Sequence, residues 1–253
     1  MQAYGVHLLD QFPFKESLPL KESLPRIPEP FASQMFYYNQ LDLLHSLSAG
    51  KNWTFCNVIP DVVVGFVPNN NVYCLAQCLV IYLTLYREIH GRGSTVVFPG
   101  TMKSWTIKSN DISQDVLARF AIYASLHPGA TGAGSFNVAD SAQPSSWSRK
   151  WPVLCEYFGL KGLPPTDGPG PDPVEFLIAN ASTWRELEKK YGLQTGRAGN
   201  FGGYPHFLMT LFDFDRQLDL SKARKVWGST EEQTTADAWY RVFDRFRDAR
   251  IVP

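Results

Sequence analysis

Short runs rich in β-branched residues alternate with helical apolar patterns over residues 35–158, and helical patterns alone follow. Residues 35–47 carry Phe36, Leu43, Leu44 and Leu47 at helical spacing. Residues 53–58 and 62–66 read as strands, bounded by Pro60 and Pro68. Asn69-Asn70-Asn71 is a polar turn able to cap the long apolar helix expected over 72–89. A strand at 95–98 closes on Pro99-Gly100, and Asp111 or Ser113 can cap a helix reaching residue 124. A strand at 136–138 and a helix at 147–158, stopped by Gly159, complete this part. Residues 160–173 are dense in Pro and Gly and read as a linker or the base of a lid. Helices are expected at 174–191, 204–212, 220–226 and 231–249. The order predicts an α/β core, the C-terminal portion of a doubly wound sheet, over residues 1–158, with a mostly helical substrate-binding cap over 159–253.

Charge and composition narrow the partners. Lys plus Arg equals Asp plus Glu at 24 each, so no basic surplus points to nucleic acid and no polybasic run points to a membrane surface. The longest apolar stretch, residues 79–85, is too short to span a bilayer and contains Tyr82. The first residues have neither the basic nor the apolar region of a secretory signal. Cytoplasmic residence is the expectation, and it makes the sequons at Asn52 and Asn180 chance matches. Cys56, Cys74, Cys78 and Cys155 show no CxxC spacing and are expected as free, reduced thiols. The five histidines make no metal-binding pattern, so no metal is expected. With 44% hydrophobic residues, the chain suits a small, largely apolar partner.

Several stretches, in order, carry a resemblance. They are Tyr4-Gly5-Val6-His7-Leu8, Phe36-Tyr37-Tyr38, Pro60-Asp61, Gly65-Phe66-Val67-Pro68 and Phe98-Pro99-Gly100. Phe136-Asn137-Val138, Trp151, Tyr157-Phe158-Gly159 and Ile251-Val252-Pro253 continue the series. Over nearly its whole length the chain resembles the C-terminal part of the progesterone 5β-reductase and iridoid synthase group of extended short-chain dehydrogenases, in its fungal branch. The resemblance implies a Rossmann-type fold and NADPH-dependent reduction of an enone or carbonyl, in fungal secondary metabolism. It assigns Tyr37, first of the tyrosine pair, as the catalytic donor that stabilises an enolate oxygen. It assigns Val63, Asn70, Asn71 and Val72 to backbone contacts with NADP. Tyr38 points elsewhere on the helix and is a core candidate.

The departures from the family pattern are equally specific. Its lysine, two residues before the tyrosine of the YGVHL-like stretch, falls on Gln2. Leu41-Asp42 stands for its Glu-Asp, and Ile59 for its Arg. The strand, Gly-rich turn and helix that hold a pyrophosphate do not precede residue 35; a proline-dense stretch with a doubled KESLP stands there. The chain therefore reads as the back half of such an enzyme, with an exposed apolar edge that a second copy could cover.

Other motifs weigh less. His7 and His206 are possible general acid/base groups, although lone histidines are more often structural. The run from Gly129 to Gly134 looks like a nucleotide turn, but it follows a helix and precedes a strand, the reverse of a true fingerprint. The glycine-rich run at 196–203 could hinge a lid. Trp105, Trp147, Trp151, Phe201 and Tyr204 could line an apolar cavity or simply form core. No Gly-x-Ser-x-Gly elbow is present. Three functions stay open on this evidence: a reductase, a non-redox cyclase or isomerase, and a non-catalytic remnant.

Overall fold

The computed structural model describes residues 18–166, 171–199, 201–228 and 232–253. Its strands are short and form three parallel pairs. β1 (Asn57–Ile59) pairs with β5 (Ser135–Asn137), β2 (Val62–Val64) with β4 (Asp111–Ser113), and β3 (Thr95–Val97) with β6 (Lys161–Leu163). Val58 lies opposite Phe136, Val63 opposite Ile112 and Val96 opposite Gly162. Each pair is closed by a long crossover containing helices, as parallel pairing demands. The α/β expectation holds, with parallel strands and helices between them.

The helices are α1 (Phe36–Ser48), α2 (Leu75–His90), α3 (Met102–Thr106), α4 (Gln114–Leu126), α5 (Pro128–Thr131), α6 (Trp147–Tyr157), α7 (Pro173–Ala179), α8 (Ala181–Tyr191), α9 (Tyr204–His206), α10 (Ser221–Trp227) and α11 (Thr235–Asp248). α9 runs on into a π-helical turn, Phe207–Leu211. The central helix is α2. Its residues from Leu75 to Leu83 are all buried, which is why the sequence there is apolar on every side. It packs against α7, α9 and α11. α11 turns one face inward, burying Ala238, Trp239, Val242, Phe243 and Phe246. A reciprocal Thr234–Asp237 capping box starts it. The main cluster of buried side chains extends from Val64 to Val252 and draws on residues on both sides of position 158.

Several boundaries differ from the sequence expectations for identifiable reasons. Of the expected strand at 53–58, only Asn57 and Val58 enter the ladder with β5, although Ala133 N already donates to Phe55 O at 2.6 Å. Asp111 belongs to β4, and Ser113 both ends that strand and caps α4 through its hydroxyl. The expected linker after residue 160 begins as β6. Gly162 allows that strand to lie on α6, because a Cβ there would stand 2.9 Å from both Pro152 Cα and Trp151 Cδ1. The single helix expected over 174–191 is two. Asn180 Nδ2 donates to Phe176 O at 2.9 Å and so closes α7 before α8 starts. No helix among the described residues is long and apolar enough to cross a membrane.

Candidate active site

Tyr37 occupies the first turn of α1, a helix with no fully buried residue. It is 36% exposed and stacks on Phe36, with ring centroids 3.9 Å apart. Tyr38 points inward, as helical geometry requires of its neighbour. Its hydroxyl accepts from Ile27 N at 3.1 Å, and its ring lies under the Arg26 guanidinium. Arg26 in turn donates to both carboxylate oxygens of Asp42, which holds that carboxyl below its usual range. A cavity of about 300 Å³ lies against this face of α1. Its wall takes Tyr38, Leu41 and His45 from α1, not Tyr37, together with Asn57, Ile59 and Asn137 from the β1–β5 pair.

The four residues assigned to the cofactor lie on β2 and the loop leaving it. Val63 is 42% exposed in the middle of β2. Asn70 and Asn71 are exposed and Val72 is half-buried, in the loop before α2. The loop follows the carboxyl end of a parallel strand, the end at which α/β sheets bind ligands. Asn71 Oδ1 accepts from Tyr73 N at 2.9 Å, a local turn and not the helix cap expected of the Asn run. Cys74 occupies the cap position without a side-chain cap hydrogen bond. Asn70 Nδ2 donates to Gly196 O at 2.8 Å, fixing the loop to the glycine-rich segment. Tyr37 comes from α1, so the predicted site residues fall into two groups on separate elements.

A buried ion pair with no local sequence signal joins Asp61, between β1 and β2, to Arg216. Arg216 Nε donates to Asp61 Oδ2 at 3.0 Å, and Arg216 Nη1 reaches Phe212 O and Phe214 O. Burial pushes the Asp61 carboxyl up, opposed by Arg216. Tyr204 is raised by burial and by the nearby Asp61 charge, and its ring meets Tyr73 edge-on at 5.3 Å. A second buried pair joins Lys150 Nζ to Asp111 at 3.0 Å. Gln77, at the start of α2, is also part of the loop's support; a lone amide among Leu75, Ala76 and Cys78 was the signal for it.

The remaining candidates resolve simply. His206 Nδ1 stands 3.8 Å from Asp172 Oδ2 at the surface. His7 and the YGVHL-like stretch, with Gln2, lie outside the described residues. Trp105, Trp147, Trp151 and Phe201 belong to the main core, where Phe98 stands against all three tryptophans. Within the Gly129–Gly134 run, a single helical turn, α5, is followed by β5. The four cysteines are free, and burial pushes each thiol up. No group of three or more His, Cys, Asp or Glu among the described residues is placed to hold a metal.

Comparison with known proteins fits this architecture. The model of the PRISE-like Rossmann-fold domain matches residues 1–253. The short chain dehydrogenase ausT of Aspergillus calidoustus is 35% identical over 257 residues, covering 99% of this chain and 62% of the relative. The short chain dehydrogenase sirR of Leptosphaeria maculans is 34% identical, covering 93% of this chain and 60% of the relative. The 3-oxo-Delta(4,5)-steroid 5-beta-reductase of Arabidopsis thaliana is 24% identical, with 93% and 58% covered. The chain thus spans about 60% of the length of these relatives. Among solved structures, RMD from Pseudomonas aeruginosa complexed with NADPH superposes with a TM-score of 0.55 at 9% identity, covering 92% of this chain and 60% of that one. A nucleoside-diphosphate-sugar epimerase from the same organism gives 0.53 at 14%, covering 94% and 63%. These two likenesses concern the fold alone. Matched along its full length by that family's model, and with fungal short chain dehydrogenases among its relatives, the chain belongs to the PRISE-like Rossmann-fold family.

Proposed function

We propose that this chain carries the catalytic tyrosine and the nicotinamide side of an NADPH-dependent reductase acting on a small, apolar, unsaturated carbonyl compound. The observation that carries the reading is the place of Tyr37 in the first turn of α1, where the residue is 36% exposed. A phenol stabilises a developing enolate only if substrate can reach its hydroxyl.

The residues present fit a nicotinamide. Val63 offers an exposed apolar face on β2, and Asn70, Asn71 and Val72 lie in a loop outside any helix or strand. Val63 would support the ring, and the backbone of Asn70–Val72 would hold its carboxamide. When bound, the nicotinamide supplies hydride to the β-carbon of the unsaturated carbonyl. Tyr37 Oη donates a hydrogen bond to the oxygen on which negative charge gathers.

Fungal secondary metabolism is the setting suggested by the relatives' fungal origin, and cytoplasm the compartment. The test is consumption of NADPH by the full chain over a panel of enones. Enone-dependent oxidation that Tyr37→Phe lowers by at least about a hundredfold is expected. Conversion of a polyene or enone without NADPH consumption would instead establish an isomerase or cyclase and overturn the reading.

A further inference from the structure

Gln77 is fully buried near the N-terminus of α2. Its Nε2 donates to Asn70 Oδ1 at 3.1 Å and to Arg197 O at 2.9 Å. Because a backbone carbonyl only accepts, the second contact fixes which end of the amide faces the loops. Asn70 Nδ2 donates to Gly196 O at 2.8 Å, which closes a ring through Gln77, Asn70, Gly196 and Arg197. Gly196 N then donates to Glu188 Oε1 at 3.1 Å, the same carboxylate oxygen that accepts from Trp184 Nε1. Gly196 has φ +73, a left-handed conformation that favours glycine. The bonds therefore join the 69–72 loop to a segment more than a hundred residues away and anchor both to α2 and α8.

Packing alone does not explain this amide. Gln77 Oε1 is buried with no hydrogen-bond partner, so the residue is kept although half of it is unsatisfied. A leucine would fill similar space without that penalty. What leucine lacks is the pair of donors that holds the two loops together.

We propose that Gln77 is a positioning residue: it sets the Asn70–Val72 backbone for the nicotinamide and ties it to residues 196–197, so that the two loops shift as one unit. This rests on the nicotinamide reading of the loop given above.

Two measurements on the full chain separate the proposal from that reading. The first follows amide hydrogen exchange at Gly196 and Tyr73, without nucleotide, in wild type, Gln77→Leu and Gln77→Glu. Both variants lose the paired N–H donors: leucine has none, and the protonated carboxyl of Gln77→Glu, which keeps the shape, has a single O–H for two acceptors. The expected result is that the Gly196 and Tyr73 amides speed up together by at least about tenfold, while the middle of α2 keeps its protection. Val80→Ala, a core change on the same helix away from the ring, serves as the control for general destabilisation and should not single out these two amides. Acceleration at one loop alone, or at neither, overturns the tie. The second measurement is NADPH titration of the same proteins, in which the dissociation constant should rise about tenfold in both Gln77 variants. Joint acceleration of the amides with unchanged NADPH affinity overturns the positioning role. Joint acceleration in a chain whose wild type binds no NADPH preserves the tie and removes the nicotinamide reading.

Discussion

At the residue scale, the Tyr38 hydroxyl accepts from Ile27 N and its ring lies under Arg26, while its neighbour Tyr37 is 36% exposed. The two should therefore fail differently. Tyr37→Phe is expected to lower enone-dependent NADPH oxidation by roughly 10²–10³-fold, the cost of removing one oxyanion donor. Tyr38→Phe is expected to cost about 1 kcal/mol of stability and to spare turnover. Equal losses of turnover in the two variants would contradict this assignment. Asp140 gives a second residue-scale prediction. Burial raises its carboxyl to about 6, against hydrogen bonds from Ser113 and with Asp111 and Arg119 nearby. An unfolded aspartate titrates near 3.9, so the folded chain holds the proton more tightly. The stability tied to that proton is complete below the unfolded value and is lost as pH rises through about 6. Asp140→Asn removes this dependence. Relative to the variant, wild type should lose up to about 3 kcal/mol in urea unfolding between roughly pH 4 and pH 7. Parallel pH profiles would contradict it.

At the element scale, the strands are held as much by what lies under them as by their own pairing. Lys150 on α6 reaches Asp111 at the start of β4, and both side chains are nearly buried, at 4% and 13% exposure. Lys150→Met should destabilise the chain by about 3–5 kcal/mol, because it leaves Asp111 buried without its partner. A loss under about 1 kcal/mol in chemical denaturation would show that water replaces the lysine. This scale also shows how much the sequence discloses. The long helix α2, the Ser113 cap of α4 and the first strands are legible because apolar period and cap chemistry are local signals. β4 and β6 are not, since three residues carry too little period and their partners lie far along the chain. The same limit applies to the site. Tyr37 and the 70–72 loop enter as candidates through the family resemblance, the first on the Phe36-Tyr37-Tyr38 stretch and the second by position. Arg216 beside Asp61 and the Gln77 ring do not, because their partners are brought together only by the fold.

At the scale of the whole molecule, α1 presents Phe36, Leu43 and Leu47 to solvent, each more than half exposed. Such a row on one helix predicts concentration-dependent self-association of this chain in sedimentation. Leu43→Lys with Leu47→Lys should suppress it without unfolding the chain, since neither leucine is buried. A monomer at all concentrations would contradict the prediction. In the proposed function the loop from Asn70 to Val72 and Tyr37 serve a nicotinamide bound to the PRISE-like fold. NADPH titration of the full chain, followed by nicotinamide fluorescence, tests it most directly. The account predicts saturable binding, about micromolar to millimolar, as is usual for enzyme ligands. A signal that rises linearly with NADPH and never saturates would contradict it.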